Sequence, residues 1–326
     1  MSKVTAIVIG RPGKMSETLA RQALQGAKNA GVDDVELFNL NDFKIDTCIG
    51  CDYCMRHSAG RGEQAFHCFR KDDFNFIADK VLDADAVLYV MPMFEKYPPG
   101  LFKVFLDRFG PFFDTAFALE HQELVQAGKK AGPLPDQRLF KTRPVAFIAH
   151  GGSEWTTLGL PTMAVAGVPM NMRIVDKLEL PWNNSVWPQD EVFARVTRMG
   201  ENLFANIGLK YEDMTYIGDS GHCPVCHNNV MVLGKTPEET VCSVCGMTGT
   251  LSVVDGKIKI EYEPYQYEYS HYTLSGKIIH GADITAGGRA MGTIPFDQLG
   301  EVIKNRQEPL KWIKTTKPPK KTVAAE

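Results

Sequence analysis

The amino-acid sequence predicts an α/β protein, in which a doubly wound parallel sheet of five strands is followed by a small C-terminal β module. Over roughly the first two hundred of its 326 residues, short β-branched runs alternate with helical patterns, as they do in βαβ units. After residue 215, two Cys-x-x-Cys pairs and an Asp-Gly turn between β-type runs replace this alternation. We therefore expect a domain over residues 1–212, a module over residues 216–262 and an extension over residues 263–326 whose end is disordered.

Each predicted strand is a short run of β-branched and apolar residues. The runs are Val4–Ile9, Val35–Leu40, Ala86–Met91, Pro144–Ala149 and Arg173–Leu178. Helical periodicity predicts helices at Glu17–Ala30, Asp73–Leu82, Gly100–Phe109 and Asp190–Ile207. Asp72 and Asp73 are expected to cap the second helix. A two-residue turn at Asp255-Gly256 is expected to join two strands of the module, and the tyrosine-rich segment 262–272 favours a strand face or a subunit contact over an aromatic lid.

Composition and charge exclude several classes of protein. Hydrophobic residues make up 44% of the chain and charged residues 23%, which is the balance of a globular protein. No run approaches the roughly 18 apolar residues of a membrane span, and the N-terminus leads into a strand without a signal peptide. A net charge of −3 provides no broad basic field for nucleic acid. We expect a cytoplasmic protein with neither a membrane nor a nucleic-acid partner.

All eight cysteines fall into two groups of four, which are Cys48, Cys51, Cys54, Cys68 and Cys223, Cys226, Cys242, Cys245. A chain of this length with few cysteines and no secretory signal indicates the reducing cytosol, so disulfides are not favoured. Tight Cys-x-x-Cys groups in such a chain bind metal or carry out redox chemistry.

The second cysteine group has the spacing C-x2-C-x15-C-x2-C, which allows two knuckles to place four thiolates tetrahedrally around one ion. The same ligands bind zinc in zinc ribbons and iron in rubredoxin-like modules. We favour zinc, which would make the module a structural clip or a docking surface, over iron, which would make it an electron carrier. Basic and aromatic residues are not gathered around the knuckles, so a zinc site does not imply DNA binding.

The loop that follows the first predicted strand, from Gly10 to Thr18, has the residues of a phosphate site. In an open parallel sheet, ligands gather at the carboxyl ends of the strands, where loop amides and helix N-termini converge. This loop supplies glycine, two cations, two hydroxyls and a helix N-terminus. It contains neither GxxxxGK[ST] nor GxGxxG, which disfavours a nucleoside triphosphate or a dinucleotide. A plain turn that binds nothing is the alternative.

Two later loops extend this pattern, because Met91–Phe94 ends the third strand and leads to Tyr97, and His150–Gly152 ends the fourth. Together the loops resemble the NADPH-dependent FMN reductase family and, within it, the iron–sulfur flavoproteins. The resemblance covers residues 3–207 and implies a flavodoxin-like fold, FMN as the cofactor, NAD(P)H as a possible electron donor and a homodimer. The candidate FMN-binding residues are Gly10, Arg11, Pro12, Lys14, Ser16, Glu17, Thr18, Pro92, Met93, Phe94, His150, Gly151 and Gly152. Seven of them match the family pattern, namely Gly10, Pro12, Ser16, Thr18, Pro92, Gly151 and Gly152.

The first loop departs from the family pattern at three positions, because Arg11, Gly13 and Glu17 stand where serine, arginine and asparagine are usual. These departures bear on the affinity for phosphate. Arg11 and Lys14 can restore the lost positive charge. Glu17 is expected to contribute only its backbone N–H, with its carboxylate turned outward.

The first cysteine group places Cys48, Cys51 and Cys54 on one short loop, a spacing that lets the loop bind three irons of a cubane. Cys68 is the candidate fourth ligand. The iron–sulfur flavoproteins resemble this arrangement, although the gap before Cys68 is longer here than in the family pattern. We expect a [4Fe–4S] cluster that exchanges single electrons with a flavin, with free thiols beside the flavin as the alternative.

Hydride transfer to a flavin depends on positioning and on exclusion of water, so an acid or base is not obligatory. His150 and Tyr97 are the candidate catalytic residues, and Glu95 and Trp155 lie in neighbouring loops. The leading hypothesis is an FMN-dependent iron–sulfur oxidoreductase that moves electrons from a donor such as NAD(P)H or ferredoxin to a small substrate or a redox partner protein. The alternatives are an NAD(P)H:FMN or quinone reductase without a cluster, and a non-enzymatic flavodoxin-like electron carrier.

Overall fold

The structure, a computed structural model, describes residues 1–51, 53–54, 68–182, 189–291 and 296–314. Five parallel strands form the main sheet in the order β2-β1-β3-β4-β5, which confirms the predicted flavodoxin-like α/β fold. The strands are β1 (Lys3–Val8), β2 (Asp34–Asn39), β3 (Ala86–Pro92), β4 (Arg143–His150) and β5 (Met172–Leu180). Their ends lie within two residues of the predicted ends, because the β-branched runs that define them are short and bounded by polar residues.

Helices cover both faces of this sheet. They are α1 (Met15–Ala30), α2 (Phe74–Asp83), α3 (Gly100–Phe113), α4 (Thr115–Gln126), α5 (Gly159–Ala164) and α6 (Asp190–Ala205). Side chains alternate along β1, so Ile7 joins the core under α2 and α3, whereas Ala6 joins the core under α1 and α6. The sequence pattern did not predict α4, which is weakly amphipathic, or α5, which is only six residues long.

The second helix begins without the predicted side-chain cap. Asp73 is its N-cap residue, but its carboxylate accepts a hydrogen bond from the amide of Lys44 (2.7 Å). Asp72 accepts one from the amide of Phe74 (3.3 Å) and another from the amide of Asp46 (2.8 Å). The two carboxylates therefore connect the start of α2 to the segment that follows β2, where the first cysteine group begins.

The C-terminal module is an antiparallel sheet of four strands, as predicted, in the order β6-β7-β8-β9. The strands are β6 (Met231–Leu233), β7 (Glu239–Cys242), β8 (Thr248–Val254) and β9 (Lys257–Glu261). Asp255 and Gly256 join β8 to β9 with φ angles of 51° and 73°, the left-handed pair of a tight hairpin turn. The four cysteines of the module lie in the same hydrophobic core as β3, β4 and α3.

The prediction of a strand face over residues 262–272 is wrong. β9 pairs with β8 only as far as Glu261, and a short helix, α7 (Gln266–Tyr269), follows Pro264. The backbone amide of Thr248 donates a hydrogen bond to the side chain of Gln266 (2.9 Å). That amide is therefore not available to a further strand. Alternating tyrosines have the period of a strand, but proline and the lack of a partner ladder prevent one.

Two further helices follow, α8 (Leu274–Met291) and α9 (Phe296–Gln307). The chain forms two compact units, of which the first, Met1–His280, contains both sheets and the second begins at Gly281. The basic end of the chain, predicted to be disordered, lies outside the described residues from position 315 onward. Within the described part of the chain, no helix combines the length and the apolar character needed to cross a bilayer.

Candidate functional site

The loops at the carboxyl edge of the parallel sheet bring the predicted cofactor residues together. Gly10, Pro92 and His150 lie at the carboxyl ends of β1, β3 and β4, and these ends meet because the strands are parallel. His150 Nε2 lies 2.9 Å from Ser16 Oγ, although 134 residues separate them in the sequence. The loops after β1 and β4 are therefore joined across the end of β3.

The loop after β1 has the geometry of a phosphate cradle. Helix α1 begins at Met15, and the amides of its first turn have no acceptor within the helix. A Cβ atom on Gly10 would lie only 2.7 Å from Ser16 Oγ, so the close approach of loop and helix requires glycine. Arg11 and Lys14 are exposed on the same loop. Amides, a helix N-terminus and two cations fit an FMN phosphate.

The carboxylate of Glu17 does not turn outward, as we predicted, but is buried beneath the loop. It accepts hydrogen bonds from the Gly13 amide (3.0 Å) and from Asn39 Nδ2 (3.0 Å). These two bonds hold the pKa of Glu17 below its ordinary value. Asn39, which was not among the predicted site residues, also donates to the Gly10 carbonyl (2.8 Å). The feature of the sequence that could have indicated Asn39 is a polar side chain at the end of the strand next to β1. Because the Gly13 amide donates to the Glu17 carboxylate, it is not available to a phosphate. The cradle therefore depends on the α1 amides and on its two cations, Arg11 and Lys14.

His150 is a buried positioning residue. Its side chain is 3% exposed, and burial lowers its pKa to about 4, so the imidazole is neutral at physiological pH. It holds the Ser16 hydroxyl, and it is not among the described residues that line the neighbouring cavity. Thr18, the other hydroxyl residue of the loop, donates to the Lys14 carbonyl (3.1 Å) and thereby fixes the first turn of α1.

A cavity of about 280 Å³ lies between the loops after β3 and β4 and suits the flavin ring. Its lining residues are Met93, Phe94, Glu95, Gly151, Gly152, Ser153 and Trp155. Four of them, Met93, Phe94, Gly151 and Gly152, were predicted to bind FMN, and Glu95 and Trp155 were named as residues of neighbouring loops. No described atom lies within 4 Å of the position that a Cβ on Gly152 would take, so the backbone there is open to a ligand.

An unusual turn forms the rim of this cavity. Phe94 and Tyr97 exchange two backbone hydrogen bonds (2.8 and 3.0 Å) around Glu95 and Lys96. The φ angles of Glu95 and Lys96 are 49° and 72°, a left-handed conformation that glycine or asparagine normally supplies. Lys96 Nζ lies 5.1 Å from the ring centroid of Trp155 and connects the turn to the opposite wall.

The four thiols of the first cysteine group line one cavity of about 140 Å³. Cys48 and Cys51 are exposed, whereas Cys54 and Cys68 are half-buried. Asn75 of α2 fixes Cys68, because it exchanges two hydrogen bonds with the backbone of that residue (3.2 and 2.7 Å). The loop between Cys54 and Cys68 lies outside the described residues from position 55 to 67.

Two arginines that the sequence analysis did not single out, Arg70 and Arg108, line the same cavity. The Nε atom of each is buried and has no hydrogen-bond partner among the described residues. Burial lowers the pKa of Arg108, but Asp72 and the Cys68 thiol outweigh this effect and raise it. Thiolate ligands and unsatisfied N–H donors fit an iron–sulfur cluster, whose sulfurs accept hydrogen bonds.

The second cysteine group has the geometry of a site for a single ion. The four Sγ atoms lie within 4.8 Å of one another, with Cys223 and Cys245 at 3.5 Å and Cys226 and Cys242 at 3.4 Å. Four thiolates at about 2.3 Å from a tetrahedral zinc ion lie about 3.8 Å apart. Hydrogen bonding from the Cys226 thiol lowers the pKa of Cys223. All four side chains are at most 2% exposed.

The module is attached to the main sheet near the flavin cavity. Tyr272 is fully buried, and its hydroxyl donates to the carbonyl of Ala164 at the end of α5. The amide of the preceding residue, His271, donates to the Cys245 carbonyl (2.8 Å). On β5, the ammonium of Lys177 donates to the His227 carbonyl. Helix α5 follows the loop that carries Gly152 and Trp155, so this contact joins the module to the helix that comes after one wall of the cavity.

The parallel sheet, the loop after β1 and the cavity between the loops after β3 and β4 have the form of a flavin-binding protein. Residues 2–184 match the family model of the NADPH-dependent FMN reductases, and the chain belongs to this family. FMN is the cofactor that the family supports, and the chain is a flavin-dependent oxidoreductase.

Two similar sequences and one solved structure add detail to this family assignment. A flavone synthase from Aspergillus candidus, cfoJ, is 32% identical over 254 residues, which cover 74% of this chain and 76% of the relative. An iron–sulfur flavoprotein from Archaeoglobus fulgidus is 27% identical over 168 residues, covering 51% of this chain and 71% of the relative. A solved structure of a flavone reductase superposes with a TM-score of 0.80 at 29% identity, covering 98% of this chain and 100% of that chain.

Proposed function

We propose that the chain is an NAD(P)H-dependent FMN oxidoreductase that reduces a flat, conjugated ketone of the flavone class. The observation that carries this proposal is the likeness to the flavone reductase structure, which extends over 98% of this chain and therefore through the four-cysteine module. The relative from Aspergillus candidus is also named for a flavone, in that case as the product of a synthase.

The rim of the ring cavity supports a flat aromatic substrate. Phe94, Tyr97 and Trp155 are large aromatic side chains, and each is more than half exposed. Monomeric proteins rarely expose several such side chains in one place unless the surface binds a ligand or a partner. Aromatic rings stack on flat ligands, so a two-ring chromone system suits these residues.

The overall reaction adds a hydride to the β-carbon of the conjugated C=C bond and a proton to the α-carbon, while NAD(P)H is oxidised to NAD(P)⁺. Bound FMN supplies a group that accepts hydride from the nicotinamide and delivers it to the substrate. Residues Gly10–Thr18 would hold its phosphate, and Met93 and Gly152 would contact its ring. Tyr97 at the rim is the candidate proton donor, whereas His150 positions the cradle through Ser16.

We further propose that the first cysteine group holds a [4Fe–4S] cluster. The cavity lined by its four cysteines, the two unsatisfied arginine donors and the likeness to an iron–sulfur flavoprotein support this proposal. Such a cluster would let a ferredoxin-type protein supply single electrons as an alternative to NAD(P)H. For the second group we favour zinc over iron, as a structural clip inside the hydrophobic core that the module shares with the main sheet.

Anaerobic turnover with flavone tests the substrate. FMN-loaded protein should convert flavone to flavanone with one NADPH or NADH consumed per product, measured by absorbance at the nicotinamide band and by mass spectrometry. Trp155→Ala should raise the KM for flavone about tenfold, which corresponds to about 1.4 kcal/mol of stacking. Trp182→Ala is the matched control, because Trp182 is similarly exposed (53%) but does not line the cavity.

Reduction of quinones or free FMN without any reduction of flavone would favour the plain NAD(P)H:FMN or quinone reductase instead.

Metal analysis of anaerobically purified protein tests whether the first cysteine group holds a cluster and whether the second holds zinc. Roughly four irons and one zinc per chain support both proposed centres, whereas zinc without iron leaves the first group as thiols.

A further inference from the structure

We propose that Arg70 and Arg108 donate N–H···S hydrogen bonds to the iron–sulfur cluster of the first cysteine group and make that cluster easier to reduce. This inference rests on the cluster proposed above. It concerns two side chains that line the cysteine cavity and that the proposed hydride transfer does not use.

Arg108 is held rigidly by contacts of its two Nη atoms. Its guanidinium forms a two-pronged ion pair with the buried carboxylate of Asp72, with Nη2 and Oδ1 at 2.9 Å. Nη1 also donates to the Asp46 carbonyl (3.1 Å), and the guanidinium lies 4.2 Å from the ring centroid of Phe74. These contacts fix the plane of the guanidinium, so Nε–H keeps one direction. That atom is buried and has no hydrogen-bond partner among the described residues.

Arg70, two residues after Cys68 in the sequence, has a similar arrangement. Its Nη2 lies 3.2 Å from a carboxylate oxygen of Asp46, and its Nε is likewise buried without a partner in the described part of the chain. A buried N–H without an acceptor costs about 1–3 kcal/mol. Two such donors, on residues that line one cavity with four cysteines, indicate that a ligand rich in acceptors supplies the missing bonds.

Charge alone does not explain these arginines. Asp72 balances Arg108, and Asp46 balances Arg70. Asp107 also lines the cavity, and its carboxylate pairs with Lys103. The remaining contribution of each arginine is therefore its directed N–H group. Hydrogen bonds to cluster sulfurs stabilise the reduced cluster, which carries one more negative charge, and raise its reduction potential.

The substitution Arg70→Lys tests the hydrogen bond, because lysine keeps the charge beside Asp46 but lacks the planar Nε–H donor. The holoprotein is titrated electrochemically, and the reduced cluster is followed by electron paramagnetic resonance. We expect unchanged iron content and a reduction equilibrium constant about tenfold less favourable, which is a potential about 59 mV lower for a one-electron couple. Arg108→Lys should lower the potential in the same direction.

Arg138→Lys is the matched control, because Arg138 also pairs with carboxylates, namely Asp79 and Asp136, but does not line the cavity. Its potential should equal that of the unchanged protein. A full iron content with the same potential in Arg70→Lys and in the unchanged protein overturns this inference and leaves the cluster proposal standing. Unchanged protein without iron overturns both.

Discussion

Each of the two cysteine groups offers four thiols, but one group is buried in the protein core and the other is partly exposed at the edge of the main sheet. The thiols of Cys226 and Cys242 lie 3.4 Å apart inside the hydrophobic core that the module shares with the main sheet. Cys48 and Cys51, by contrast, are exposed on a loop at the carboxyl edge of that sheet. A metal bound in the module would be coupled to folding, because these four cysteines cannot separate without opening the core. At the carboxyl edge, the exposed cysteines could bind or release a metal group without unfolding of the domain.

Loss of a module cysteine should have the largest effect on stability. Cys242→Ser should remove the bound metal and lower the free energy of unfolding by roughly 3 kcal/mol or more, because buried thiols then lose their common ligand. Urea unfolding and metal analysis measure this change. Cys48→Ser, in the exposed group, is the matched control and should unfold at nearly the urea concentration of the unchanged protein. Equal stability of the two variants would contradict the proposed difference between the groups.

The carboxyl edge should lose stability in acid through His150. Burial lowers its pKa from 6.5 to about 4, so between these values the unfolded chain binds more protons than the folded protein. The stability contributed by neutral His150 is fully present above pH 6.5 and is lost as the pH falls toward 4, by about 3 kcal/mol at most.

Urea unfolding from pH 7.5 to 4.5 measures this dependence. His150→Gln keeps a polar group near Ser16 but does not titrate, so its stability should fall less steeply with pH than that of the unchanged protein. Parallel curves for the two proteins would argue that His150 is not buried in solution.

A smaller effect is expected where the module contacts α5. Tyr272→Phe removes the hydroxyl that donates to the Ala164 carbonyl and leaves that carbonyl without its donor. The free energy of unfolding should fall by about 1–2 kcal/mol with the metal retained. Thermal unfolding measures the change, and Tyr265→Phe, at an exposed tyrosine, should show none.

The smallest change in stability is expected at the exposed cysteine loop. Cys51→Ser should change the free energy of unfolding by less than about 0.5 kcal/mol, because Cys51 contributes little to the core. It should nevertheless abolish the broad visible absorption of the cluster and leave the flavin bands. Visible spectroscopy of the anaerobic protein checks this prediction, and an unchanged spectrum would contradict the proposed cluster.

Local patterns determined much of this protein. The β-branched runs located all five strands, because a strand's period of two is visible in its own residues. The spacing of Cys223 to Cys245 predicted a four-thiol site for one ion, since each knuckle is a short local loop. The hairpin at Asp255-Gly256 followed from turn chemistry alone.

The tertiary structure decided what depends on residues distant in sequence. Glu17 is buried because Asn39, on the neighbouring strand, donates to it, and its own loop sequence does not reveal this partner. Arg108 reaches the cysteine cavity only because α3 packs beside Asp72 and Cys68. Sequence periodicity reports which face of an element is apolar, whereas the partner of a buried polar group is set by the packing of whole elements. For that reason the sequence alone predicted the two cysteine groups and the flavin loop, and only the packed structure placed the polar groups that surround them.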